Sequence, residues 1–474
     1  MGGLAVVFSN LFFLYVFFPL NIILYFLTKS LKARNIIMVS FSLVFYAWGE
    51  PVWVGLLVLT AMLNWALAQV LEKQKQQGSL GHAKLALVAA IAVDLGLLGF
   101  FKYTGFLVSN LNLLVGGILP VPSIVLPIGI SFYTFQIISY MVDVYRGTVP
   151  SQKAFYKFLM YVTMYHQLVA GPIVRYEWIA QEVDHRPVYI PQVWNGLCRF
   201  CIGLTKKVVV ANAAGALASR YLDRDLSGVS SAGALFGMLL FALQIYYDFS
   251  AYSDMAIGMG HIFGFHYMEN FEYPYTSRSV TEFWRRWHIS LSSFFRDYLY
   301  IPLGGKYHRQ IRNILVVWLL TGLWHGASWN FVLWGGYYGL LLILEKTFLL
   351  KWLNKAPGWV GWLWSTAAVL GGWSLFYFTD LARLGEYLRT LFTGRWYDPG
   401  LWVVIHNNLF WLVLALAFCA PIVPRFNRWV NGRLGEEGRW KAVPAQLALC
   451  CLLVLLCTAL LVGQSYNPFL YYRF

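Results

Sequence analysis

Charge is what this chain has least of. Only 12% of its residues are Asp, Glu, Lys or Arg, against roughly 25% in soluble globular proteins. Acids are the scarcer half, 21 against 36 basic residues, for a formal net charge of +15. A nucleic-acid-binding protein would carry such an excess on a soluble domain. Here the cations sit in short loops between apolar runs, the pattern of cytoplasmic loops in a membrane protein, so nucleic acid is not the expected partner and the lipid bilayer is. The sequence has no long polar linker, no low-complexity tract and no internal repeat. The last absence weighs against a non-enzymatic polysaccharide or acyl transporter, which would need matched repeats or broken helices. Of six cysteines, Cys198 and Cys201 form a lone C-x-x-C, too few ligands for a zinc site; no metal is expected. G-x-x-x-x-G-K-[ST], H-E-x-x-H and G-x-S-x-G are also missing, which argues against ATPase, zinc-peptidase and serine-hydrolase chemistry.

What is present is apolar length. Hydrophobic residues make up 59% of the chain and aromatics 18%, with a mean hydropathy of +0.58. Repeated runs of membrane-crossing length predict an all-α, multi-pass membrane protein of about ten or eleven crossings. The first run, Leu4 to Leu27, has no basic flank before it and no cleavage site, and is expected to be a retained span. Lys29, Lys32 and Arg34 follow and place that loop in the cytoplasm. Pro51 separates Ile36–Trp48 from Val52–Leu71. Further spans are expected over Leu85–Phe101 (ended by Lys102), Ile128–Val144, Phe155–Ile173, Ala232–Phe265, Ile314–Leu344, Trp362–Phe378, Leu401–Ala420 and Val443–Val462. Arg175–Lys207 reads as an interfacial segment, Val208–Leu222 as a short helix, and Arg425–Lys441 as a basic cytoplasmic loop. In Ile128–Val144, Ser131, Tyr133, Thr134, Gln136, Ser139 and Tyr140 are costly against lipid and predict a face that lines an interior.

The rest is arranged around Arg278 to Trp334. Arg278, Arg285, Arg286, Arg296, Lys306, Arg309 and Arg312 face only Glu282 and Asp297 in this stretch. The mixed aromatic and basic run Phe283–Ile301 is too polar to cross lipid and predicts an interfacial or re-entrant helix buried in protein. Ile314–Leu344 is expected to break near His325, where Gly322, Gly326 and Gly335-Gly336 cluster. A histidine at bilayer depth is a candidate functional group, and imidazole can take and return a proton near neutral pH. His325 thus reads either as a catalytic base or as a helix–helix hydrogen bond. His288, beside Trp284, Arg285 and Arg286, reads as an interfacial anchor or as a holder of an anionic or acyl-carrying substrate. Arg285, Arg286 and Arg296 suit a phosphate clamp, or simply the positive-inside bias. Asp248 and Asp254 lie inside an apolar run and read as an interhelical network or as substrate-positioning groups. Asn330, in the same run as His325, reads as a substrate-binding group.

These residues stand in longer motifs. ENFEYPYTSRSVTEFWRRWHISLSSFFRDYLYIPLGG (269–305), GLWHGASWNFVLWG (322–335), YDFSAYSDMAIGMG (247–260), QLVAGPIVR (167–175), PIGISFYTFQ (127–136), FYAWGEP (45–51) and NPFLYYRF (467–474) resemble the membrane-bound O-acyltransferases, and among them the AlgI-like branch of alginate and polysaccharide O-acetyltransferases. The likeness runs over nearly the whole chain. It implies a single integral-membrane domain over residues 1–474, a ring of helices around a central funnel, and multi-pass residence in a bacterial cytoplasmic (inner) membrane. It also implies His325 as the family's catalytic histidine and His288 as the second active-site position. No permanently bound cofactor is implied; acetyl-CoA would serve as cytoplasmic acyl donor. The acetyl group would pass to an extracytoplasmic SGNH-like acetyltransferase or acyl acceptor protein, and through it to an exported polysaccharide. A related alternative moves D-alanyl groups from a carrier protein toward teichoic acid.

Overall fold

The computed structural model describes residues 7–169, 171–463 and Phe469, with the side chains of 427 and 430–442 left aside. Among these residues the regular structure is helical throughout. Five helices are long and apolar enough to cross a membrane: Trp53–Gln76, Leu80–Val115, Ile190–Leu222, Ser231–Phe263 and Val443–Leu461. A sixth candidate is the pair Pro399–Asn407 and Leu409–Ala417, bent by 70°. Much of the remaining apolar sequence is built as shorter pieces. The chain divides into two compact units. Unit 1 is Met1–Phe200, Tyr252–Glu269 and Gly463–Phe474; unit 2 is Cys201–Ala251 and Asn270–Val462.

In unit 1 a π-helical turn, Phe13–Phe17, leads into α1 (Phe18–Leu27). Leu4, where the first run begins, lies outside the described residues. Pro51 separates α2 (Leu31–Gly49) from α3 (Trp53–Gln76), as its missing N–H dictates. The next helix departs from expectation. Lys102 does not end it: α4 runs from Leu80 to Val115 and stops at Gly116, whose φ of 81° suits glycine. The Lys102 ammonium instead reaches Ser131 Oγ, 3.3 Å away, at the start of α5 (Ile130–Arg146). All six polar residues singled out in that segment are buried. The expected span Phe155–Ile173 is cut at Met164 into α6 (Phe155–Thr163) and α7 (Tyr165–Leu168). After α8 (Tyr176–Asp184), the buried Arg186 guanidinium donates to Tyr25 Oη at 2.9 Å and Asn35 Oδ1 at 2.8 Å, and lies 4.1 Å over the Phe265 ring.

The largest correction concerns Arg175–Lys207. Its second half is no interfacial segment. α9 (Ile190–Thr205) continues through a π-helical turn, Lys206–Ala211, into α10 (Asn212–Leu222), and the whole is one candidate span. Two of its cations, Arg199 and Lys207, pair with acids on α11 (Ser231–Phe263). In unit 1, Arg199 donates to Asp254 Oδ1 at 2.9 and 3.1 Å and also pairs with Glu269. In unit 2, Lys207 pairs with Asp248 at 2.5 Å, both side chains at most 5% exposed.

Unit 2 carries the centre of interest. Phe283–Ile301 is not one helix but two short ones, α12 (Val280–Arg286) and α13 (Ile289–Phe295), followed by a π-helical turn, Arg296–Tyr300. Ile314–Leu344 breaks where expected, but as a hairpin: α14 (Gln310–His325) turns at Gly326 into α15 (Trp329–Leu344). Two glycines let its arms touch. A Cβ at Gly322 would stand 2.2 Å from the Phe331 carbonyl oxygen, and one at Gly335 2.3 Å from that of Trp318. Then come α16 (Leu350–Leu353), α17 (Gly358–Tyr377), α18 (Leu381–Thr393), α19 (Pro399–Asn407), α20 (Leu409–Ala417) and α21 (Ile422–Leu461). The stretch expected as the loop Arg425–Lys441 falls within α21. Of the ending 467–474, only Phe469 is among the described residues.

Candidate active site

His325 is the last residue of α14, at the tip of the hairpin, and is 7% exposed. Its ring sits in an aromatic box: Trp334 at 4.9 Å, Trp324 at 5.0 Å and Phe376 at 5.4 Å between centroids, all edge-on. The turn that follows is shaped by Gly326, where a Cβ would fall 2.2 Å from the Phe331 ring. Asn330 is fully buried as the second residue of α15; it accepts from Ser328 Oγ and donates to the Leu375 carbonyl at 3.1 Å. It therefore ties the hairpin tip to α17.

His288 occupies the joint between α12 and α13, and its φ of 44° is left-handed. Histidine is among the few side-chain-bearing residues found there with any frequency, and strain of about 1–3 kcal/mol persists only where surroundings enforce it. Asn270 enforces it. Its Oδ1 accepts from Ser290 N at 3.1 Å and Ser290 Oγ at 2.9 Å, and its carbonyl accepts from Ile289 N at 3.0 Å. Since Ser290 N can only donate, that amide atom is the oxygen, and His288 Nδ1, 3.2 Å away, donates to it. The neutral ring then carries its lone pair on Nε2. Burial holds its pKa down at about 3, in a segment outside the candidate spans, so the ring stays uncharged at cellular pH. Phe249 packs edge-on against it at 4.6 Å. Trp324 lies 6.1 Å from His288 and 5.0 Å from His325, so the two histidines share one aromatic neighbour.

A slot of about 450 Å³ is lined by residues of the same elements, though by neither histidine. Exposed Arg285, Arg296 and Lys346 line it together with apolar Trp284, Leu291, Phe295 and Leu342. Its α14 wall is Ile314, Val317, Trp318 and Thr321. These repeat at helical spacing, and the next turn of the same face holds Trp324 and His325. Arg285 and Lys346 have no ion-pair partner among the described residues. Burial, and then repulsion from Arg285, lower the Lys346 pKa from the ordinary lysine range.

The other candidates are placed differently. Arg286 does not line the slot; it pairs with Glu282 at 2.6 Å and donates to Thr276 Oγ1. Arg296 lines it but also forks onto Asp297 at 2.6 and 2.9 Å. Asp248 and Asp254 fall in different units and each faces the cation described above. Three residues escaped sequence reasoning: Asn270, Lys346 and Glu345. Asn270 sat unremarked in the 269–305 motif. Glu345 had a signal, being the only acid between Asp297 and Asp380.

Residues 144–379, which hold both histidines and the slot, match the model of the membrane-bound O-acyltransferase family. The chain is 34% identical to a probable alginate O-acetylase of Azotobacter vinelandii, over 99% of this chain and all of that one. The chain belongs to the membrane-bound O-acyltransferases. It is also 37% identical to the probable alginate O-acetylase of Pseudomonas aeruginosa, covering 82% of this chain and 76% of the relative. To a peptidoglycan O-acetyltransferase of Helicobacter pylori it is 32% identical, covering 81% and 79%. The acyltransferase thus has its two candidate histidines inside the segment the family shares.

Proposed function

We propose that this acyltransferase takes acetyl groups from cytoplasmic acetyl-CoA and passes them across a bacterial inner membrane for O-acetylation of an exported or cell-surface polysaccharide. The relatives' names support the polysaccharide; the slot supports the donor. The observation that carries the reading is the slot's construction: unpaired cations on exposed side chains, apolar walls, and a helix face whose next turn bears His325. Anionic phosphates would sit against Arg285, Lys346 and Arg296, and the uncharged arm would lie between Trp284, Trp318 and Leu342 with its thioester toward His325. At about 450 Å³ the slot takes an arm and leaves a bulky head at its mouth.

A thioester is already activated, so the protein's task is to position it, exclude water and manage one proton. His325 removes the proton from the attacking hydroxyl and returns it to the departing thiolate as the C–S bond breaks and free coenzyme A leaves, or it first takes the acetyl group itself, releasing coenzyme A, and then hands it to the hydroxyl. His288, neutral and with Nε2 as acceptor, holds that hydroxyl by a hydrogen bond. The acceptor is an extracytoplasmic partner of SGNH type, whose serine would carry the acetyl group on to the polymer.

The decisive experiment supplies purified, nanodisc-embedded protein with radiolabelled acetyl-CoA or with a D-alanyl carrier protein, each with a serine-bearing acceptor domain. Acetyl transfer that disappears in His325→Ala supports the reading. Transfer from the carrier protein alone would overturn it.

A further inference from the structure

Among the described residues, Glu345 is the most enclosed acid in unit 2. It is fully buried at the first position of the π-helical turn Glu345–Leu349, just past α15. Its carboxylate accepts four hydrogen bonds. Oε1 takes Val280 N at 2.7 Å and Trp364 Nε1 at 2.8 Å; Oε2 takes Thr281 N at 2.8 Å and Thr281 Oγ1 at 2.7 Å. Three of the four donors are N–H groups that can only donate. A carboxylate offers two oxygens to such a set, whereas an amide would turn an NH₂ group on one pair. The donor set therefore matches the two acceptor oxygens of a carboxyl group and not an amide.

What it holds is α12, through the first two residues of that helix. α12 has seven residues, too few to keep its place by its own hydrogen bonding. It carries Trp284 and Arg285 into the slot and leads directly into left-handed His288. Glu345 itself follows the hairpin arm α15, packed on the arm that ends at His325, and precedes Lys346. One carboxylate thus joins the element bearing Arg285 and His288 to the hairpin bearing His325 and Lys346.

We propose that Glu345 is a positioning residue of the acyltransferase: it touches no substrate, and it sets where Arg285 and His288 stand relative to the His325 hairpin. The kinetic part of this inference rests on the donor reading above. Loss of one charge-assisted hydrogen bond at such a joint corresponds to roughly a tenfold change in an equilibrium, so Glu345→Gln should raise the KM for acetyl-CoA about tenfold, with unfolding temperature little changed. Because it acts through Arg285, Glu345→Gln combined with Arg285→Ala should be no worse in KM than Arg285→Ala alone.

The test uses the full chain in nanodiscs and measures that cycle beside Leu57→Ala, a buried-core control in unit 1. Spin labels at Arg285→Cys and Ile311→Cys, in a background in which Cys198, Cys201, Cys450 and Cys451 are serine, report the α12–α14 distance independently of catalysis. A distance distribution that broadens in Glu345→Gln, with non-additive KM effects, supports the proposal. An unchanged distribution, multiplicative KM effects, or activity that falls only in step with stability, as in Leu57→Ala, overturns it. If Arg285→Ala leaves KM unaltered while the distribution still broadens, the donor reading fails and the positioning role stands.

Discussion

His325 and His288 are both buried histidines, yet their settings differ. His325 ends a helix inside an aromatic box, and its removal takes away the group proposed to move the proton or acyl. His325→Ala should lower kcat for acetyl transfer by ~10²–10⁴-fold with KM for acetyl-CoA nearly constant, read by steady-state assay with donor and acceptor varied separately. His288 has two roles that substitution can separate, the left-handed backbone and the ring. Asparagine adopts that backbone more readily than other residues. His288→Asn should therefore keep the unfolding temperature while losing activity, and His288→Val should lose both. Lys346 makes a pH prediction. Its lowered pKa means that it surrenders its charge at lower pH than an ordinary lysine. The KM for acetyl-CoA should rise on the alkaline side sooner than lysine chemistry would suggest, and Lys346→Arg, which stays charged, should flatten that rise. A KM–pH profile of the two proteins decides it.

At the level of elements, the α14–α15 hairpin bears His325 and one wall of the slot. Its arms meet at Gly322 and Gly335, where backbone carbonyls leave no room for a Cβ. Gly336, the next residue, has only the end of the Leu319 side chain at 4.0 Å. Gly335→Ala should force the arms apart and cost about 1–3 kcal/mol or more. Gly336→Ala should be neutral or stabilise by about 0.5–1 kcal/mol, the helical cost of glycine. Thermal unfolding in detergent compares them, and equal stability of the two variants would show that the hairpin contact does not matter. Where this hairpin breaks could be read from the glycines around His325. That it folds back on itself could not, because a broken span and a tight hairpin share one hydrophobicity profile. The same holds for His288: Trp-Arg-Arg-Trp-His looks like a single interfacial helix until Asn270, eighteen residues back, is seen to hold the joint.

Across the whole molecule, the candidate span Ile190–Leu222 sets Arg199 and Lys207 against acids of α11. In the Lys207–Asp248 pair both groups are buried, and removing one partner leaves a buried charge. Lys207→Met should destabilise by about 3–5 kcal/mol, whereas the double change Lys207→Met with Asp248→Leu should recover most of that loss, measured as a double-mutant cycle on unfolding. The sequence by itself determined the class, an all-helical membrane acyltransferase with His325 and His288 in its shared motifs, because apolar length and motif order are linear properties. It also marked the buried polar face of α5, since polar groups in an apolar run have to face protein. The tertiary structure alone decided which cations are set against acids: among the described residues Lys207, Arg199 and Arg286 are paired, and Arg285 and Lys346 are not. It alone brought Lys346 to the same slot as Arg285 and set Glu345 against the start of α12. Charge pairing is a matter of distance in space, and residues dozens of positions apart acquire that distance only when the helices pack.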